Sequence, residues 1–144
     1  MIEQHDPAAE VRFDTRIAVL LRDDLEPWQE LNVAAFLVSG LTRPEIVGAP
    51  YLDADGIEYA PMIGQPILLY SADAATLAAV RAKSVERGLR PAVYTAELFG
   101  TGHDAANRAA VRAVPSGELD LVGVAVHGPR NAVDRMTKAA RLHR

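Results

Sequence analysis

The chain has 144 residues, of which 49% are hydrophobic, and a formal net charge of −4. That length suits one domain with a single sizeable core, and that hydrophobic share is too high for a disordered chain. The sequence contains no cysteine, which rules out a disulfide framework, a thiolate metal site and a cysteine nucleophile.

The opening "MIEQHDPAAEVRFD" is polar, carries Pro7 and has no hydrophobic period. Residues 1–15 are read as a flexible arm ahead of a single α/β domain over residues 16–144. The arm lacks the basic start and apolar stretch of a signal peptide, and no apolar run approaches the roughly 20 residues of a membrane span. A cytoplasmic protein with no membrane partner is therefore expected.

Arg16–Leu21, "RIAVLL", is apolar on both faces, as in a central strand covered on both sides. "RDDLEP" turns into a helix with Pro27 near its first position, where proline is tolerated. The helix is expected to run to about Ser39 and to stop at Gly40. Trp28, Leu31, Ala35 and Val38 recur at helical spacing and are assigned to the core. "YLDADGIEY", Tyr51 to Tyr59, reads as a hairpin around Asp55-Gly56. Its acidic residues do not form an EF-hand loop, because no acid stands twelfth when counting from Tyr51 or Asp53.

A second buried strand is expected over Ile67–Ser71. Asp73 reads as the N-cap of a helix from Ala74 to Arg87, ended by Gly88, with Leu77, Val80 and Val85 on its apolar face. "RPAVYT" gives a third strand, which leads into "AELFGTGHD". The alanine-rich "DAANRAAVRAV" is a short helix, and Leu119–Gly128 a fourth strand. Pro129 opens a last helix, with Val133, Met136 and Ala140 inward and Arg135, Lys138 and Arg141 outward. Arg130 to Arg144 holds five Lys/Arg against one Asp, so that segment is +4 and the remainder −8. This basic face is either a solvated helix surface or a holder for one anion. Strands alternating with helices imply a three-layer α/β/α domain with a largely parallel sheet, made mixed by the hairpin.

No complete catalytic motif is present. The chain lacks a Walker loop, GxGxxG, GxSxG and HExxH. His5, His103, His127 and His143 have no tight ligand spacing, so neither a metal nor a cofactor is implied. What remains is a loose constellation. Glu97 and Thr101 follow the third strand across a glycine turn, with His103 and Asp104 next and His127 at the end of the fourth strand. A carboxylate or imidazole there could act as a base, and a hydroxyl could position water. Equally, Glu97 could be an exposed turn acid, Thr101 or Asp104 a helix cap, and His127 a half-buried strand end. Asn32 interrupts the otherwise apolar "ELNVAAFLV". A buried amide needs a partner, whether a structural hydrogen bond or a ligand, or it costs on the order of 1–3 kcal/mol.

"RIAVLLRDDLEPWQELNVAAFLVSGL", "PMIGQPILLYSAD", "YTAELFGTG" and "LVGVAVHGPRNAVDRMTKAARLH" together resemble the domain-of-unknown-function-2000 family of bacteria, over nearly all of Arg16 to Arg144. That family is similar in layout to the type-2 peptidyl-tRNA hydrolases of archaea and eukaryotes. The resemblance implies their mixed sheet between helical layers, a homodimer and, for the hydrolases, cleavage of the ester joining a peptide to tRNA. The match is local. "RDDL" follows the opening strand as the hydrolases' Asp-Leu does, "GPRNAVDRMTKAARL" resembles their closing segment, and Glu97, Gly100 and Thr101 fall near their Asp–Gly–Thr motif with a one-residue shift. The hydrolases' helix-one lysine has Asn32 as its nearest counterpart here, and no lysine precedes Lys83. An asparagine offers a dipole where a lysine offers a charge.

The expectation is thus a small-molecule-binding or regulatory homodimer, with Glu97, Thr101 and His103 as catalytic candidates and Asn32, His127 and Arg130 as binding candidates. The alternative is a hydrolase of an ester or amide, with Glu97 or His103 as base and Asn32 stabilising an oxyanion. The acidic body argues against tRNA as a partner. Asn32, Glu97 and Thr101 are expected to converge on one cleft with His103 at its mouth. Tyr51, Ile57 and Tyr59 of the hairpin and the alanine-rich helix are the expected apolar contact surface.

Overall fold

The computed structural model describes residues 6–144; His5 and the start of the expected arm lie outside them. Seven strands and four helices follow in chain order: β1 (Thr15–Arg22), α1 (Pro27–Leu41), β2 (Tyr51–Leu52), β3 (Glu58–Tyr59), β4 (Ile67–Ala72), α2 (Ala74–Glu86), β5 (Ala92–Thr95), α3 (Asp104–Arg112), β6 (Leu121–Pro129), α4 (Arg130–Met136) and β7 (Arg141–Leu142). A 3-10 turn, Ala96–Gly100, joins β5 to α3.

Five strands form one sheet in the order β5-β6-β1-β4-β7. β1 lies at its centre, and Ile17, Ala18, Val19 and Leu20 are wholly buried. Its alternating side chains feed two cores. Ile17, Val19 and Leu21 pack with Val33, Leu37 and Leu41 of α1. Ala18 and Leu20 pack with Leu77 and Val80 of α2 and with Val133 and Met136 of α4. The domain is therefore a mixed α/β layer structure, with α1 on one face of the sheet and α2 and α4 on the other.

The sheet is not largely parallel. Only β1 and β4 pair in parallel; β6 runs antiparallel to both β1 and β5, and β7 antiparallel to β4. Alternation of strand and helix points to parallel crossovers only when the connecting helix packs back on the sheet. α3 has no buried residue, so it is a rim element, and the chain returns from it antiparallel. The hairpin also stays apart, as a separate two-stranded ribbon. Asp53 organises that ribbon, its carboxylate accepting from the Asp55 and Ile57 amides and the Tyr59 hydroxyl at 3.0, 2.9 and 2.9 Å.

Several faces differ from expectation. α1 buries Val33, Leu37 and Leu41, while Trp28 and Leu31 are 56% and 75% exposed. Apolar residues surround this helix, so more than one stripe satisfies the period. Gly40 does not end α1; a Cβ there would sit 3.0 Å from the Ala92 Cβ, so the glycine lets the helix lie close on β5. In α2 the buried position is Ser84 rather than Val85, its hydroxyl donating to the Val80 carbonyl at 2.7 Å. The expected Asp73 cap is present, accepting from the Thr76 amide at 2.8 Å. α4 ends at Met136, and the chain turns so that Arg141 and Leu142 pair with Ser71 and Tyr70.

Candidate functional site

Trp28, Asn32 and Phe36 stand four residues apart on α1, which puts them on one face of the helix. That face looks past the edge of the sheet rather than into the core. Across from it lie Tyr94 of β5 and Leu98 and Phe99 of the 3-10 turn, and α3 closes the third side. Together they enclose a cleft of about 920 Å³, a size that small-molecule sites commonly have. The aromatic rings form a continuous wall. Trp28 meets Phe99 edge-on with centroids 5.6 Å apart, Phe99 meets Tyr94 at 5.2 Å, and Tyr94 meets Phe36 at 6.0 Å.

Asn32 is set into this wall. Its Nδ2 donates to the Tyr94 hydroxyl at 3.1 Å. Tyr94 is only 4% exposed, and burial pushes its pKa up, against a smaller opposite pull from the Asn32 hydrogen bond. The phenol is therefore protonated at neutral pH. With its oxygen accepting from Asn32, its O–H remains a donor, and the Asn32 Oδ1 remains an acceptor. A donor and an acceptor side by side in an aromatic wall are suited to reading one polar edge of a flat molecule.

Thr101 and His103 line the same cleft as Asn32. Both are already engaged. The Thr101 hydroxyl donates to the Leu98 carbonyl at 3.0 Å and also meets the side chain of Asn107. His103 caps α3, its Nδ1 accepting from the Ala106 amide at 3.3 Å. That bond holds Nδ1 at the helix end and leaves Nε2 as the ring nitrogen without an assigned partner.

Glu97 does not join them. It is exposed on the 3-10 turn and is not part of the cleft lining, because the turn directs Leu98 and Phe99 inward. His127 and Arg130 lie outside the cleft lining, at the end of the strands away from Trp28 and Phe99. β6 runs against β1, so its end pairs with the beginning of β1: His127 stands opposite Ile17, and the Arg130 amide donates to the Asp14 carbonyl at 2.9 Å. Arg130 borders a separate shallow groove with Arg12, Thr15 and Gln65. The His127 Nε2 is buried without a partner. Burial pulls the pKa of this ring down, with Arg43 adding to the effect and Glu45 opposing it.

The sequence reading did not find the charged rim of the cleft. Arg43, Arg90, Arg108 and Arg112 line it, against the single carboxylate of Asp104. Asp104, Asn107, Arg108, Val111 and Arg112 fall at helical spacing, so one face of α3 supplies them. That spacing was the available signal; the contributions of Arg43 and Arg90 depend on tertiary placement alone. Among the described residues no group of three His, Asp or Glu side chains could hold a metal ion, and no helix is long and apolar enough to cross a membrane.

The family model for a protein of unknown function, DUF2000, matches residues 15–144. The chain belongs to the DUF2000 family. A solved structure of a protein of unknown function from Agrobacterium tumefaciens strain C58 is similar to this DUF2000 chain. It shares 44% identity and a TM-score of 0.89, covering 92% of this chain and 100% of that one. No curated protein matches the chain.

Proposed function

We propose that this DUF2000 domain is a small-molecule-binding protein that works as a homodimer, and that its ligand enters the cleft between α1, β5 and α3. The observation that carries the reading is the Asn32–Tyr94 hydrogen bond of 3.1 Å inside an aromatic wall. Rings supply area and polarisable surface for a flat apolar body, and the paired amide and phenol orient it. Binding is favoured over hydrolysis because Glu97 lies outside the cleft and His103 spends Nδ1 on its helix. The layout resemblance to type-2 peptidyl-tRNA hydrolases belongs to this reading as a statement of ancestry. Asn32 stands nearest the position of the hydrolases' lysine and offers a dipole in place of that charge.

Calorimetric titration with 1-naphthol tests the reading. The unaltered protein is expected to bind it saturably. Asn32→Leu should weaken binding by about tenfold, the equivalent of one lost net hydrogen bond of roughly 1–1.5 kcal/mol. The same variant should shift the melting temperature by no more than a few degrees, because Asn32 is only half-buried. Unchanged affinity in the variant, or an unaltered protein that binds neither 1-naphthol nor an anionic derivative of it, would contradict the reading.

A further inference from the structure

We infer that the ligand of this cleft is an aromatic anion: a flat ring system on the Trp28–Phe36–Tyr94–Phe99 wall, with a phosphate or carboxylate directed to the arginine rim. The inference rests on the binding reading above and adds the chemical class. The chain as a whole carries −4, yet four arginines and one aspartate line this cleft. Arg108 is paired with Asp104; Arg43, Arg90 and Arg112 form no ion pair with a carboxylate among the described residues. All four arginines are exposed, so solvent screens their repulsion, and their shared field in a concave surface favours an anion there. Guanidinium groups also match the planar, two-oxygen edge of a carboxylate or phosphate.

The two halves of the site are spaced for one molecule. Arg90 precedes β5 and Tyr94 lies within it, four residues on. An extended chain separates their backbones by roughly 13 Å, and the long arginine stem reaches back over part of that distance. Arg43 follows the C-terminal end of α1, which adjoins the start of β5 where Gly40 meets Ala92. Arg43 and Arg90 therefore share one end of the cleft, and Trp28 and Phe99 the other. Two fused rings and an anionic group span that length.

Four probes by calorimetry separate the parts: 1-naphthol, its phosphate ester 1-naphthyl phosphate, inorganic phosphate, and 1-naphthoate, which distinguishes a carboxylate site from a phosphate site. At least one naphthyl anion is expected to bind about tenfold or more tighter than 1-naphthol, and inorganic phosphate alone far more weakly. Replacing Arg90 and Arg112 by glutamine together should remove that advantage. Arg135→Gln, on the outer face of α4, should leave it unchanged. If 1-naphthol binds and both anions bind no better, the aromatic-anion inference is overturned while the cleft reading stands. If none of the naphthyl compounds binds, the cleft reading itself has failed. An anion advantage that survives the double variant would place the charge recognition elsewhere and also overturn the inference.

Discussion

Asn32 was legible in the sequence as a polar residue in an apolar run, and the need for a partner followed from the cost of a buried amide. The identity of that partner was not legible. Tyr94, 62 positions away, has the pattern of an ordinary core residue in a short strand, and only the pairing of β5 with β6 sets it opposite α1. Glu97 illustrates the reverse problem. A carboxylate at a strand end looks chemical, but a 3-10 turn decides which residues face inward, and here they are Leu98 and Phe99. His127 carries a consequence for stability. Burial holds its folded-state pKa below the ordinary value, so the native state binds fewer protons than the unfolded state. Its contribution is full above the unfolded pKa of about 6.5 and is lost as pH falls from there towards the depressed folded value. The melting temperature should therefore drop between about pH 7 and pH 5, and His127→Phe, which keeps a flat ring without a titrating nitrogen, should flatten that slope. Parallel curves for the two proteins would show that His127 does not set it.

At the level of elements, strand and helix existence followed well from periodicity and punctuation. Proline opened α1, Asp73 capped α2, and Gly88, in the left-handed region with φ +73°, ended it. Strand direction did not follow. A rim helix and a covering helix have the same local sequence signals, so α3 read as a crossover and the sheet as largely parallel. The helix faces differ for a related reason: α1 is apolar nearly all round, so the period assigns Trp28, which faces the cleft, to the core. The actual core seam makes a sharp demand at Gly123 of β6. A Cβ there would lie 2.5 Å from Val33 Cγ1 and 2.8 Å from Leu37 Cδ1. Gly123→Ala should push α1 away from the sheet and cost roughly 1–3 kcal/mol, measured by urea denaturation. A variant as stable as the parent would mean that α1 shifts without penalty.

For the whole molecule, charge and exposed apolar surface are the informative features. The rim arginines concentrate positive charge in one cleft of a chain that is negative overall. Four of them can neutralise only a few phosphates, so tight binding to tRNA at physiological salt is not expected. Tyr51, Leu52, Ile57, Tyr59 and Met62 are each at least half exposed, and they cluster on and beside the β2–β3 ribbon. A patch of this kind favours association, and sedimentation at micromolar concentration should give about twice the 15.5 kDa of the chain. A monomer at that concentration would contradict the homodimer reading.

The most direct test of the cleft is to map binding residue by residue, using amide chemical-shift changes in the isotopically labelled protein titrated with 1-naphthyl phosphate. Saturable shifts should be confined to Asn32, Phe36, Arg90, Tyr94, Phe99, Thr101 and the cleft-facing turn of α3 around Arg108 and Arg112. Shifts centred instead on the separate groove of Arg12, Gln65 and Arg130, or no saturable shifts at all, would contradict the assignment of this cleft as the binding site.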